Sequence, residues 1–164
     1  MLFTEIDFII FFVIVLAIIS AIKYRKFQHV FLLTASYFFF YYSSNYLITL
    51  LIASTILDFY IGKAIWSSTN ITKKKILLSV SLAGNLGLLG FFKYADFAVT
   101  QFNLFGNHFN LTSQIPLLEL AIPIGISFYT FQTISYTVDI YRGHLRPSKT
   151  LKEFALFVAF FPQL

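Results

Sequence analysis

Apolar residues along this chain fall in long runs broken by short polar or charged stretches. The runs are Leu2–Ile22, Val30–Tyr42 with its flanks, Leu47–Trp66, Ile76–Phe92, Ile115–Tyr141 and a last one from Phe154. A helix crossing a bilayer needs about 20 residues, range roughly 17–25. The third and fourth runs meet that directly, and the second meets it only if its polar flanks join it. The fifth is over-long at 27 residues and contains Pro116 and Pro123-Ile124-Gly125, which predicts a tilted, kinked or broken helix. The sixth stops at Leu164 after eleven residues, about 16 Å of helix against a hydrocarbon core of about 30 Å. The pattern predicts an all-α, polytopic membrane helix bundle of about five spans plus a truncated sixth, organised as one unit over residues 1–164. Within it, Tyr94–Gln114 is too polar to span, yet carries Phe97, Phe102, Leu104, Phe105, Phe109 and Leu111. This predicts an interfacial segment over 94–114.

Composition agrees with a lipid environment. Of 164 residues 58% are hydrophobic and 12% charged, against about 45–50% and about 25% in ordinary soluble domains. The 22 Phe, 10 Tyr and one Trp exceed what the interior of so small a globule can hide. With Cys absent from the sequence, disulfides, thiolate metal sites and Cys nucleophiles are excluded together.

Charge gives the orientation. The net charge of +5 would suggest nucleic acid for a soluble chain, but ten of the twelve basic residues lie in three short clusters between apolar runs. These are Lys23, Arg25 and Lys26; Lys73, Lys74 and Lys75; and Arg142, Arg146, Lys149 and Lys152. The expected partner is therefore the lipid bilayer and not nucleic acid. With the N-terminus outside, all three clusters fall on the cytoplasmic side, while Tyr42–Tyr46 and Lys93–Gln114 fall outside with Lys93 as their only base. Met1–Asp7 carries Glu5 and Asp7 and no base, which reads as an uncleaved anchor and not a signal peptide. The expected location is a membrane, crossed several times.

Chemistry concentrates in Ala121–Gly143, where Gln132, Thr133, Ser135, Tyr136, Thr137 and Asp139 fall within eight residues. An ionised Asp at the centre of a membrane helix costs roughly 2.5–3.5 kcal/mol on insertion scales, so such groups face a bundle interior or a water-filled path. Gln132, Tyr136, Asp139 and Gly143 follow at helical spacing and share one stripe. Two readings of that stripe stand open: a hydrogen-bonding wall for a polar substrate, or polar contacts that fasten helices. For Asp139 the simpler reading is a local ion pair with Arg142, three residues on. Asp58 lies well inside its run, and Lys63 is five residues away, poorly placed for pairing on one helix. A buried ion pair with another segment is expected for it, with proton handling as the alternative.

Other features carry less. His29, His108 and His144 have no partner at ligand spacing, so no metal site is expected. Gly125-Ile-Ser127-Phe-Tyr129 lacks the last glycine of a nucleophile elbow. Asn70-Ile-Thr and Asn110-Leu-Thr fit a glycosylation pattern too short to have functional weight. Asn85 with Gly84, Gly87 and Gly90 reads as close helix packing.

The residues Ile122-Pro-Ile-Gly-Ile-Ser-Phe-Tyr-Thr-Phe-Gln132, Ser135-Tyr136, Asp139-Ile-Tyr-Arg-Gly143 and Phe160-Phe-Pro-Gln-Leu164 resemble the membrane-bound O-acyltransferase family, in its bacterial branch of alginate O-acetylation and D-alanyl-transfer proteins. Asn85-Leu-Gly-Leu-Leu-Gly-Phe-Phe-Lys93-Tyr94 looks like a further segment of that family. The resemblance implies the N-terminal portion of an enzyme that takes an acyl group, acetyl in particular, from a cytoplasmic thioester donor, acetyl-CoA or an acyl carrier protein. It implies an acceptor hydroxyl on an exported polysaccharide or cell-envelope polymer, with a periplasmic or extracellular acceptor protein as a further partner, and no bound cofactor. The family's essential histidine acts as general base in a membrane tunnel and belongs to a later segment. None of the three histidines here lies in a matching motif, so no catalytic residue is carried over and the chain alone is expected to be inactive. Tyr129, Gln132, Tyr136, Asp139 and Arg142 are candidates to line or brace the tunnel. A transporter or channel element and a non-catalytic membrane subunit are the rival readings.

Overall fold

The structure, a computed structural model, describes residues 6–44, 47–108, 115–119 and 125–163. Within them the chain is all-helical: α1 (Ile6–Ala21), α2 (Arg25–Ser44), α3 (Ile48–Ser67), α4 (Ile71–His108), α5 (Ile126–Arg142) and α6 (Leu151–Ala159), closed by a 3₁₀ turn over Phe161–Gln163. α3 and the Ile71–Gly106 part of α4 are long and apolar enough to cross a membrane, and α1 is a shorter apolar helix.

Local chemistry sets the helix ends. The Gln28 side-chain amide donates to Ile22 O at 2.8 Å and closes the end of α1 from the start of α2. Asn70 Oδ1 accepts from the backbone N–H of Thr72 at 2.8 Å and of Lys73 at 3.3 Å, the cap that starts α4. One of the two glycosylation-like patterns is thus a helix cap. The polar flanks of the second run do join it, since α2 begins at Arg25 and ends at Ser44.

The fifth run is broken, one of the forms its prolines predicted: Ile115–Glu119 are non-helical and α5 starts only after Gly125, whose φ of 72° is left-handed. Pro123 and Ile124 lie outside the described residues. The sixth run is not a span that continues to Leu164, because α6 starts at Leu151 and stops at Ala159. There the extended Phe160 and the following Pro162 prevent further α-helix. Tyr94–His108 continues α4 as helix, and Ile115–Leu118 lie alongside it. Asn103 bonds both the N–H and the C=O of Ile115, at 2.9 and 2.8 Å, and Asp96 accepts from Leu118 N at 2.7 Å. Phe109–Gln114 lie outside the described residues. At 38 residues α4 is about 57 Å long, well beyond the roughly 30 Å hydrocarbon thickness.

α3 is the hub, packed against α2, α4, α5 and α6. Its core, with Leu51, Phe59 and Ile65 facing Tyr129, Tyr136, Ile140 and Phe154, is the larger of two. The smaller core joins α1 and α2 around Phe161, which is 1% exposed and ringed by Phe8, Phe11, Phe12 and Phe39. Phe161 N–H also donates to the buried Ser36 Oγ at 3.2 Å. α1 has apolar residues around its whole circumference, yet among its residues only Val15 is buried, the signature of a helix meeting lipid or another protein surface.

Candidate functional site

The middle of the larger core is polar. Asp58 of α3 is 0% exposed, and its carboxylate accepts two hydrogen bonds from α4: Ser81 Oγ donates to Oδ1 at 2.6 Å and Asn85 Nδ2 to Oδ2 at 2.7 Å. The second Nδ2 proton of Asn85 has Ser81 O at 3.0 Å, and Asn85 Oδ1 accepts from Thr133 Oγ1 of α5 at 3.1 Å. Thr137 Oγ1 lies 3.3 Å from Ser81 Oγ. Thr133 and Thr137, sealed from solvent, form the α5 side of this junction, and Thr130 above them on the same face offers its carbonyl to Thr133 Oγ1 at 3.0 Å. Ser81 and Asn85, four apart, supply the α4 side. One side chain from each helix therefore fixes the next, and the amide of Asn85 is saturated on all its donors and its acceptor.

Asp58 meets neutral donors here and not the cation expected from another segment. Among the described residues the faces of α4 and α5 turned to it carry Ser, Asn and Thr. Lys63 is turned elsewhere, its ammonium 4.3 Å from the centroid of the Phe59 ring. Two short hydrogen bonds onto one carboxyl group, continued by the bond from Thr133 to Asn85, hold three helices in one register in a low-dielectric interior.

The residues of the predicted stripe separate. Tyr136 is buried, with its ring centroid 4.2 Å from that of Phe154 and its hydroxyl accepting from Ser148 N at 3.1 Å. It packs on Gly62, where an added Cβ would come within 2.9 Å of Tyr136 Cε1 and 3.0 Å of Ile140 Cδ1. Tyr129 is buried edge-on to Phe40. Both tyrosines lie in the interior, where they brace α5 against α2, α3 and α6. Asp139 is half-buried at the end of α5, and the side chain facing its carboxylate is His144, with Nδ1 at 4.0 Å, not Arg142. Its backbone carbonyl takes His144 N–H at 2.9 Å in the turn made by Gly143, whose φ is 79°. Arg142 is exposed.

Gln132 points a different way. Its Nε2 donates to Phe157 O of α6 at 2.8 Å, while its Oε1 is buried with no hydrogen-bond partner among the described residues. It borders a groove of about 590 Å³ lined also by Ser127, Phe128, Phe131, Ser135 and Phe157. A buried acceptor left unpaired costs about 1–3 kcal/mol, and the other polar side chains that border the groove are those of Ser127 and Ser135.

Close helix packing is found at Gly62 and not where the sequence suggested it. An added Cβ at Gly87 or Gly90 would have nothing within 4 Å, and at Gly84 would meet only Leu57 at 3.9 Å. Ser81 and Thr130 are residues that sequence reasoning passed over, and Thr133 and Thr137, named there, were not set on a stripe of their own. The i, i+3, i+7 spacing of Thr130, Thr133 and Thr137 was the available signal. No group of three or more His, Asp or Glu comes together among the described residues.

Comparison with known proteins gives the site its context. The chain is 36% identical over 143 residues to a probable alginate O-acetylase of Pseudomonas putida, covering 85% of this chain and 29% of that protein. It is 34% identical over 167 aligned positions to a probable alginate O-acetylase of Pseudomonas aeruginosa, covering 100% of this chain and 32% of that protein. A peptidoglycan O-acetyltransferase of Helicobacter pylori is 32% identical over 139 residues, 70% of this chain and 25% of its own length. The chain thus spans about a quarter to a third of the length of the curated relatives it matches. No family model and no solved structure matches it. The similarity takes in up to the whole chain, including the motif segments that build the junction, the Gln132 groove and the Phe161 nest, and the chain belongs to the membrane-bound O-acyltransferase family.

Proposed function

We propose that this chain is the N-terminal portion of an O-acyltransferase of the cytoplasmic membrane, one that acylates hydroxyl groups of an exported polysaccharide or cell-envelope polymer. The observation that carries the reading is the similarity to O-acetylases of alginate and of peptidoglycan. The acyl group is acetyl, delivered as a thioester of coenzyme A or of a carrier protein. In the reaction the acceptor hydroxyl oxygen bonds to the thioester carbonyl carbon, the C–S bond breaks, and the thiol leaves with the hydroxyl proton. The contribution of this stretch is scaffolding: α3, α4 and α5 locked through Asp58, Ser81, Asn85 and Thr133 present the Gln132 groove to the remainder of the enzyme. The base that accepts the hydroxyl proton is supplied by another segment.

The proposed topology has five crossings with the N-terminus outside. It is supported by the three basic clusters and by a pocket that Lys26, of the first cluster, and Lys152, of the third, line together. The test uses membranes from cells expressing the complete gene product, given radiolabelled acetyl-CoA and the polymer. Alkali-labile acetyl ester on the polymer is expected, and none from the purified 164-residue chain. Uptake of polymer or precursor without ester formation would overturn the enzymatic reading in favour of transport. Orientation is tested separately in this naturally Cys-less sequence. Thr69→Cys and Ser148→Cys are expected to react with an impermeant maleimide only after cells are opened, and Thr100→Cys in intact cells. The opposite pattern would overturn the topology.

A further inference from the structure

A cleft of about 490 Å³ lies between α2, α3 and α6. Its walls are Leu33 and Tyr37 of α2, Ile52 and Ile56 of α3, and Leu151 and Ala155 of α6. Thr55 also borders it, but donates its hydroxyl to Leu51 O at 2.6 Å, so that its polarity is used within α3. Thr150 and Lys152 line the cleft and also a second pocket of about 250 Å³, completed by Lys26, His29, Val30 and Glu153. An apolar slot of small-ligand size, roughly 300–1,000 Å³, therefore opens at one end on a basic mouth.

We propose that this cleft holds an acyl chain of an anionic phospholipid whose phosphate sits between Lys26 and Lys152. Three features of the pair of pockets favour that occupant. An apolar slot between helices has to be filled for its lining atoms to regain packing contacts, and where the slot opens on a basic mouth an acyl chain beneath its phosphate matches both parts. The two lysines come from the clusters flanking α2 and α6, and basic pockets between helices on the cytoplasmic side are where anionic headgroups bind. A lysine can cover apolar surface with its stem and keep its ammonium group at the interface, which suits the layered structure of a lipid. Glu153 is the opposing charge at the mouth and limits the affinity. It follows the Thr150 cap of α6, whose side-chain oxygen accepts from Glu153 N at 3.3 Å, so Gln can replace it with the cap kept.

The inference rests on the membrane placement proposed above, and the two can fail separately. If the chain stays in the supernatant when phosphatidylcholine–phosphatidylglycerol vesicles are pelleted, the membrane reading fails first. For chain that does pellet, lipid retention is read by native mass spectrometry in dodecylmaltoside, with phosphatidylglycerol, phosphatidylcholine and inorganic phosphate titrated in turn. One phosphatidylglycerol is expected to be retained at least tenfold more tightly than phosphatidylcholine, with no displacement by phosphate. K26Q/K152Q is expected to weaken retention by roughly twenty- to thirtyfold, about fivefold per lysine, and E153Q to strengthen it. Ile56→Trp, which fills the cleft from an exposed position, is expected to remove it, and the control pair K73Q/K74Q to leave it unchanged. Equal retention of the two lipids, competition by free phosphate, full retention in K26Q/K152Q or in Ile56→Trp, or equal loss in the control would each overturn the proposal.

Discussion

Where α3, α4 and α5 meet, the contact is a chain of hydrogen bonds from Asp58 through Asn85 to Thr133. Where α1, α2 and the 3₁₀ turn meet, the contact is a nest of phenylalanines around Phe161. The contrast teaches what each kind of packing can specify. Between helices in lipid there is little hydrophobic drive to associate, because lipid tails are as apolar as leucine. Shape holds the aromatic nest, and a ring can be accepted from several angles: the Phe161 contacts are edge-on with Phe8, Phe11 and Phe12 and tilted with Phe39. The hydrogen-bonded junction accepts only one register, since sliding α4 by one residue would take both Ser81 and Asn85 off the carboxylate. The plastic contact fastens the outer pair of helices, and the register-specific one fixes the helix that carries Gln132.

The comparison can be broken first at its aromatic side. Phe161→Ala removes the centre of the nest, and a cost of about 3–5 kcal/mol is expected. The check is SDS-driven unfolding in dodecylmaltoside followed by far-UV circular dichroism. Phe161→Leu should recover most of that loss if shape alone matters, with the remainder falling on the geometry of the Ser36 bond.

Removing the carboxylate comes next. Asp58→Ala leaves the Ser81 hydroxyl and the Asn85 amide buried without their acceptor, and about 2–4 kcal/mol is expected from orphaning two groups. Asp58→Asn keeps the shape and one acceptor and should recover about half. A double-mutant cycle of Asp58→Ala with Asn85→Ala should give a coupling above the average of about 0.6 kcal/mol for polar contacts between membrane helices and up to their maximum of about 1.7 kcal/mol. Additivity would mean that the two side chains do not communicate.

Gly62→Ala tests the packing beside the junction. The added Cβ would stand 2.9 Å from Tyr136 Cε1, and Tyr136 cannot retreat easily because Phe154 and Ser148 hold its ring and hydroxyl. Overpacking of about 1–3 kcal/mol is expected, with Gly62→Ala/Tyr136→Phe still destabilised and Gly62→Ala/Tyr136→Leu partly relieved.

These same residues show what the sequence could convey. Runs of apolar residues located the six described helices, because burial in lipid or core demands them whatever the partner. The break before α5 was legible in Pro123-Ile124-Gly125, whereas Gly143, set on the helical stripe, turns out to end the helix with a left-handed φ. For the site, a polar group in an apolar run announced that Asp58 and Asn85 would be buried. Which groups meet depends on how three helices are rotated about their axes, and that is set by contacts such as Tyr136 on Gly62, between residues far apart in sequence. Hence Gln132, Tyr136 and Asp139 looked like one wall and are divided between groove, core and helix end. Thr133 and Thr137, on a neighbouring face of the same helix, make the junction.

Gly87 and Gly90 give the smallest effect and the sharpest contrast with Gly62. The three glycines look alike in an apolar helix, and small residues are what closely approaching membrane helices use. Yet Gly87 and Gly90 have open space where a Cβ would go, so in the 164-residue chain alanine there only removes backbone freedom from the unfolded state. Each substitution is expected to stabilise by about 0.5–1 kcal/mol, the helix-propensity difference between Gly and Ala, in the same unfolding assay. Should Gly87→Ala or Gly90→Ala instead destabilise the complete gene product while stabilising this chain, α4 meets another helix there. The close packing suggested by Gly84, Gly87 and Gly90 would then belong to a contact made with the rest of the enzyme.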